Sequence, residues 1–577
     1  MSPVRPRSVL LAVAAGLALA DASIVTLALP ELLVDLDTSV EGVAAVIGVY
    51  TVVLAAALLP AERVARRVGA PRVGATGFLV FAIASIACAG ADTLTALLVA
   101  RGLQAASGAA ALIATFTLLN GPGAGRPGAA DATTPAGARR LWLGAAVLSA
   151  AVGPALGGAL TQAFSWPAIF IAQAPVAALA ALVCLRAPVL APVAGPPAGA
   201  MAPIRIREAA TGAAPKAPGD RRAALALGLV SAALTAVLFL LVLLLVAGWA
   251  VTPLKAAAAV TIIPAAALAA GRVGGDARWR AAVGCILVGA GTLALAYLPD
   301  ARLWWTFAPQ ALAGLGMGLA LPALGGELLP ERSAHDAARL LSIRHAGIAL
   351  ALVVIAPVTA ARLDDATRDA RERGVALALD ARLDPARKVA LAPALLASVQ
   401  AQSPRLALRK AITENRGTVS GTERVEYDRL AARADATLVD AVGDAFFAAF
   451  AITGLLALAG GVLLVRARPR APAWVAAAVL VSCVVVAVQV AAHERRPADP
   501  VTIADPCQPR ERPSTGGAGG FLQDRALELL DSGACRLGSS REELVLALAD
   551  EEDARRFQRD HGVNPRSLKG VLSGLLG

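Results

Sequence analysis

Thirteen apolar stretches, most of them about 20 residues long, interrupt this chain, and they fix what it can fold into. They run approximately over 9–30, 42–60, 73–91, 93–118, 141–163, 167–186, 223–247, 253–271, 281–299, 303–325, 339–360, 439–465 and 472–492. A hydrocarbon core about 30 Å thick is crossed by a helix of about 20 residues, whereas a membrane strand needs only about 9–11 alternating ones. Inside lipid each backbone N–H and C=O must find its partner within the segment, which a helix provides. With only 16% charged residues in 577, against about a quarter in soluble domains, the chain reads as an all-α polytopic membrane protein.

Charge gives the expected orientation. With the N-terminus inside, the short inner loops hold nearly all the short-loop Arg and Lys, and the short outer loops hold only Lys255 and Arg302. The net charge of +11 is therefore assigned to inner loops facing the lipid surface, and no nucleic-acid partner is expected. Trp142, Trp166, Trp249, Trp279, Trp304, Trp305 and Trp474 all fall at segment ends, as an aromatic belt requires. Arg5, Arg7 and the Ala18–Ala20 pattern resemble a signal peptide, but the apolar run continues to Leu33, which favours an uncleaved first helix.

Six segments lie in 1–186. A Pro-, Gly- and Ala-rich polar linker follows over 187–222, and six more segments lie in 223–465. Two six-helix halves joined by a basic inner linker suggest two bundles related by a pseudo-twofold axis. A thirteenth segment within 466–492 adds one crossing and places the tail, 493–577, outside. The same topology places the 362–437 insertion, rich in amphipathic Ala, Leu and charge runs, outside as a helical cap over the mouth. In the tail, Ser539-Ser540-Arg541-Glu542 before LVLALA reads as a capping box.

Cys88, Cys184, Cys285 and Cys483 fall inside membrane segments, while Cys507 and Cys535 both lie in the tail. On an oxidising face these two either form a disulfide or stay as free thiols. With four His and no CxxC, no metal site is expected. No nucleotide-binding motif, cofactor site or catalytic constellation is present, so the reading is not an enzyme.

Asp21 is the residue that asks for a function. It sits within the first apolar run, where a carboxylate costs about 2.5–3.5 kcal/mol on insertion scales. At 1.5 Å per residue it lies about 20 Å above the inner end of the first helix, and Arg101 about 14 Å below the outer end of the fourth, so both reach similar depth. Burial and a nearby Arg act in opposite directions on a carboxylate's hold on a proton, which suits a proton carrier. A permanent ion pair that only fixes packing is the alternative. Arg344 and His345 lie near the inner end of the eleventh segment; Arg344 either snorkels or couples to transport.

The motifs resemble those of the major facilitator superfamily, especially the fourteen-helix drug:proton antiporters. Asp21-Ala-Ser-Ile-Val-Thr-Leu-Ala-Leu-Pro30 is similar to the first-helix signature, and Arg101-Gly-Leu-Gln104 to the helix-4 motif. Ser149-Ala-Ala-Val-Gly153-Pro154-Ala-Leu-Gly157-Gly158 resembles the helix-5 antiporter motif, which marks exporters. Trp166-Pro-Ala-Ile-Phe170-Ile-Ala-Gln173 resembles the opening of helix 6, and Ser342-Ile-Arg344-His345-Ala-Gly347 a late-helix element. Two features depart from the pattern. The two extra helices between the halves are missing, so the core is twelve-helical with one helix added. The loop after helix 2 carries Glu62 and Arg66 before Arg67 and Gly69 where the family places a Gly and a latching Asp; Glu62 is the candidate substitute, one turn earlier.

The resemblance implies a plasma-membrane secondary transporter that exports a small lipophilic compound in exchange for protons by alternating access. Asp21 would be the proton site, Arg101 its partner and Gln104 a polar contact in a cavity lined by helices 1 and 4. A transporter-like receptor displaying outer domains, or an importer, are the alternatives. The substrate and any partner of the tail are not legible in the sequence.

Overall fold

The computed structural model describes residues 6–120, 142, 153–186, 220–270, 273–331, 333–384, 387–388, 404–417, 419, 421–465, 471–496, 501–508 and 517–567. No strand occurs among them. The first half comprises α1 (Pro6–Thr26), α2 (Leu29–Asp35), α3 (Val40–Val68), α4 (Ala70–Ala89), α5 (Leu94–Asn120), α6 (residues 153–163) and α7 (Pro167–Leu185). The second comprises α8 (Arg221–Leu243), α9 (Pro253–Val260), α10 (Ile262–Ala270), α11 (Ala277–Ala296), α12 (Trp304–Pro322) and α13 (Ala334–Asp380). Then come α14 (Pro404–Arg416), α15 (Thr422–Val465), α16 (Ala473–Glu494), α17 (Gly517–Leu537), α18 (Arg541–Ala549) and α19 (Glu551–His561).

Among the described residues, 12 helices are long and apolar enough to cross a membrane, with α9 and α10 counted as one span. They coincide with twelve of the apolar segments; of 141–163, residues 141 and 143–152 lie outside the described residues. Two spans are broken, for one reason. Pro30 and Pro264 have no N–H to give to the carbonyl four residues back, so helix geometry lapses just before each, at 27–28 and at Thr261. Two others end in a π turn, Leu244–Gly248 after α8 and Ala323–Leu328 after α12.

α7 ends and α8 begins at one face, here the linker end; the opposite face is the cap end. At the cap end a continuous apolar cluster joins both halves: Leu27, Leu29 and Leu32 meet Leu240, Leu244, Trp249, Phe446 and Phe450, all buried. At the linker end the halves meet through α13, whose Ala337, Ala338 and Leu341 pack into the cluster of the first half, while Ser342 Oγ donates to the Ala55 carbonyl at 2.9 Å. α16 lies against α11 and α12. Its Gln489 Nε2 donates to the Trp305 carbonyl at 2.6 Å, and Leu480, Val484 and Val488 stay exposed, as a lipid-facing helix requires.

α13 and α15 run for 47 and 44 residues, well beyond the length a bilayer needs. Their projecting ends, with α14, build the cap. Arg405 on α14 grips Asp435 on α15 with Nε–Oδ1 at 2.8 Å and Nη2–Oδ2 at 2.7 Å, a bidentate pair. Its Nη1 also donates to the Trp249 carbonyl at 3.3 Å, which ties the cap to the core. Leu377, Leu383, Val419, Tyr427 and Leu430 form the cap's own apolar cluster.

The tail joins this cap. Helices α17–α19 enclose Ala534, Leu544, Ala547 and Phe557, and a disulfide links Cys507 to Cys535. The capping box lies one residue later than expected: Ser540 Oγ accepts from Glu543 N at 3.0 Å. The Glu543 carboxylate does not reach back to the cap; it accepts from His561 at 3.1 Å. Glu542 is instead fully buried against Arg541, which also donates to Asp380 on α13 at 2.8 Å. A second arginine, Arg371 on α13, pairs with Asp553 on α19 at 2.5 Å. Removing one member of a buried pair costs about 3–5 kcal/mol, because the other charge is left uncompensated. Arg541→Ala is therefore expected to release the tail from α13. In limited proteolysis of purified protein it should expose cleavage within 517–567, while the thermal unfolding of the membrane core is unchanged.

Candidate functional site

The halves enclose a cavity with room for about 100 Å³ of water, small beside the roughly 300–1,000 Å³ of typical ligand pockets. One wall is α1, through Leu19, Ala22, Ser23 and Thr26; α6 adds Pro154. The facing wall carries Ser231 and Thr235 from α8, and Arg344 and His345 from α13. The residues 19, 22, 23 and 26 recur at helical spacing, so one stripe of α1 faces the cavity.

Asp21 is not on that stripe. It points behind α1, toward α5 and α7, and is wholly buried. Its Oδ2 lies 2.6 Å from Arg101 Nη1, and its Oδ1 accepts from Gln173 Nε2 at 3.1 Å. Arg101, also wholly buried, donates through Nη1 to Gln104 Oε1 at 2.7 Å and through Nε to the Val46 carbonyl at 3.2 Å. Its guanidinium lies 4.3 Å from the centre of the Tyr50 ring, a favourable cation–π position. Tyr50 in turn donates to the Ala18 carbonyl of α1 at 2.8 Å, and Gln104 Nε2 donates to Ser85 Oγ at 2.9 Å.

This network joins α1, α3, α4, α5 and α7, yet it is not saturated. The Asp21–Arg101 contact is an ion pair without hydrogen-bond alignment, and Asp21 Oδ2 accepts no hydrogen bond among the described residues. Arg101 Nη2 has no acceptor among the described residues. Each buried polar atom without a partner weakens the arrangement, so the pair has less holding it in place than its distance suggests. None of Asp21, Arg101 and Gln104 is among the residues that line this cavity. Gln173, Tyr50 and Ser85, to which no role was given, complete the set. Gln173 stands within the helix-6 segment already singled out; no sequence signal marks Tyr50 or Ser85.

Arg344 and His345 do reach the cavity. His345 Nδ1 lies 2.8 Å from the Leu341 carbonyl. That oxygen can only accept, so Nδ1 carries a hydrogen and Nε2 is left as the ring position available to the cavity. Arg344 forms no ion pair or hydrogen bond among the described residues. Ser231 Oγ, buried beside them, has no partner either. The cavity thus offers an apolar surface with a few polar atoms, the usual makeup of a small-molecule site.

The helix-5 motif is described from Gly153 on; Ser149 lies outside the described residues. A Cβ at Gly157 would stand 2.3 Å from the Ile24 carbonyl oxygen of α1, and one at Gly158 would stand 2.4 Å from Ala257 Cβ on α9. The two glycines thus bring α6 against both halves at once. Beside them Leu254 N donates to Gln162 Oε1 at 2.9 Å, across the same interface.

At the linker end Glu62 is buried at 2% exposure. Arg66 Nε lies 2.8 Å from its Oε1, and His335 of α13 stands 3.6 Å from its Oε2. It therefore faces the opposite half. Arg67 is exposed, and Gly69, at φ 98°, closes α3 in a conformation that suits glycine.

Comparisons with known proteins agree with this architecture. The family model described as Major Facilitator Superfamily matches residues 11–351. The chain is 32% identical over 170 residues to the Methylenomycin A resistance protein of Streptomyces coelicolor, covering 29% of this chain and 34% of that one. It is 34% identical over 185 residues to the Tetracenomycin C resistance and export protein of Streptomyces glaucescens, covering 31% and 32%. The matches thus span about a third of each relative. Among solved structures, a bacterial homologue of the human lysosomal transporter Spinster, in an inward-facing and unoccupied conformation, superposes with a TM-score of 0.52. The identity is 14%, covering 82% of this chain and all of that one. Fold, membrane spans and family match converge: this chain is a multi-pass membrane protein, and it belongs to the Major Facilitator Superfamily.

Proposed function

We propose that the chain exports a small lipophilic compound from the cytoplasm in exchange for protons. In this reading it spans the plasma membrane with its N-terminus and linker inside and the cap and tail outside. The halves 1–186 and 223–465 rock about the central cavity, and 466–492 is a peripheral helix. The basic short loops at the linker end support the orientation. The relatives named for antibiotic resistance, and the glycines of α6, support export. The mostly apolar cavity supports a lipophilic substrate.

The observation that carries the coupling is the Asp21–Arg101 pair behind the cavity wall. Two opposite charges buried at 2.6 Å hold α1 to α5. A proton on Asp21 removes one of them, loosens α1, and so alters the stripe of α1 that the substrate touches on its other side. Proton and substrate then act on one helix from opposite faces and need not share a pocket. Such coupling requires that each ligand favour a different state of α1.

The test is efflux of lipophilic fluorescent dyes from cells that produce the protein, with and without a protonophore. Extrusion that stops when the gradient collapses is the expected result. Extrusion unaffected by the protonophore would remove proton coupling. A solute accumulated inward would reverse the direction, and no transport of any dye would favour the receptor alternative.

A further inference from the structure

A second and larger chamber lies at the cap end, above the apolar seal. It has room for about 850 Å³, within the range of about 300–1,000 Å³ for small-molecule sites. Its floor is Leu33, Leu243, Val442 and Phe446, residues that also belong to the cluster closing the core. Opening that seal therefore connects the central cavity directly to the chamber. Its roof comes from elsewhere: Asp364, Arg368 and Arg371 from the projecting part of α13, and Glu552, Asp553 and Arg556 from α19 of the tail.

With Glu41 counted, the lining holds four carboxylates against three arginines. Each arginine is already engaged, Arg368 with Asp365 at 3.1 Å, Arg371 with Asp553 at 2.5 Å and Arg556 with Asp553 at 3.0 Å. Three lining carboxylates, Glu41, Asp364 and Glu552, are exposed and have no charge partner among the described residues. The chamber thus pairs an apolar floor with three unpaired carboxylates and one more acid than arginine in its lining. We infer that it is a second binding site, an exit vestibule for amphipathic organic cations, with the tail as part of its wall. The apolar body would rest on the floor, and the cationic centre would face the three carboxylates. This rests on the export reading only for the direction of traffic.

The probe is an azide-bearing tetraphenylphosphonium, photolysed with the full-length protein in lipid nanodiscs; labelled peptides are mapped by mass spectrometry. Label is expected on peptides covering 361–371 and 551–561. The triple variant E41Q/D364N/E552Q should weaken that labelling about tenfold, the sum of three modest exposed-charge terms. All three residues are exposed, so its unfolding temperature should match the wild type. The uncharged tetraphenylmethane isostere should label the chamber poorly. Absence of label there, equal label in the triple variant, or equal label by the uncharged isostere each overturns the inference. Chamber labelling without dye export would leave the site standing and remove the export reading. Export without chamber labelling would remove the site alone.

Discussion

Asp21→Asn is expected to slow proton-driven export at least about a hundredfold and to destabilise the protein more than Arg101→Gln does. The asymmetry follows from what each change strands. A stranded carboxylate can discharge itself by binding a proton, whereas a guanidinium cannot be neutralised in a protein. Asp21→Asn leaves Arg101, wholly buried, with the Gln104 and Val46 oxygens and the Tyr50 ring but no counter-charge, and losses of about 3–5 kcal/mol are usual for a broken buried pair. The double variant Asp21→Asn/Arg101→Gln removes both charges. It should regain most of the unfolding temperature while transport stays absent. Unfolding in detergent, followed beside efflux in vesicles of matched protein content, checks both halves. A single Asn variant that transports at wild-type rate, or a double variant no more stable than Asp21→Asn, would sink the account of the pair.

Gly158→Leu is expected to abolish transport for a different reason, with folding largely kept. The glycine faces α9, where a Cβ would meet Ala257 Cβ at 2.4 Å and the Pro253 carbonyl oxygen at 3.0 Å. Neither is a flexible chain end that can swing aside. The clash lies between the halves and not within one, so each bundle still packs, but the cap end cannot close. The Leu254 N–Gln162 Oε1 bond across the same gap is lost with it. A cysteine placed at the seal should become permanently reactive to an impermeant thiol reagent in this variant and only intermittently so in the wild type. Gly157→Leu offers the contrast: its clash with the Ile24 carbonyl of α1 lies within the first half, so that variant should fold poorly.

Much of this was legible in the chain itself. Segment length sets the helices, and twelve of the thirteen apolar runs coincide with described spans. The depth estimate for Asp21 and Arg101 put the two side chains level, and they meet. Which way they face was not legible. Depth is a one-dimensional quantity, while orientation around α1 depends on neighbours from α5 and α7 that are 80 to 150 residues away in sequence. The same limit hid Gln173, Tyr50 and Ser85. Their residue types are ordinary in a membrane helix, and only the packing brings them to the pair. The cap was visible as amphipathic runs, but its union with the tail rests on single arginines, Arg371 and Arg541, whose partners lie about 160 to 180 residues away.

Helix α13 carries a mechanical consequence. It is continuous from the Glu62–His335 contact at one face, past Arg344 and His345 at the cavity, to Asp380 under the tail. At 1.5 Å per residue its 47 residues form a rod about 70 Å long. A rod pivoting near its linker end amplifies motion with distance: a tilt of about 10° there becomes about 12 Å at the far tip, if the helix stays straight. The tail, clamped to that tip, acts as a pointer whose position outside the bilayer reads out the angle between the halves.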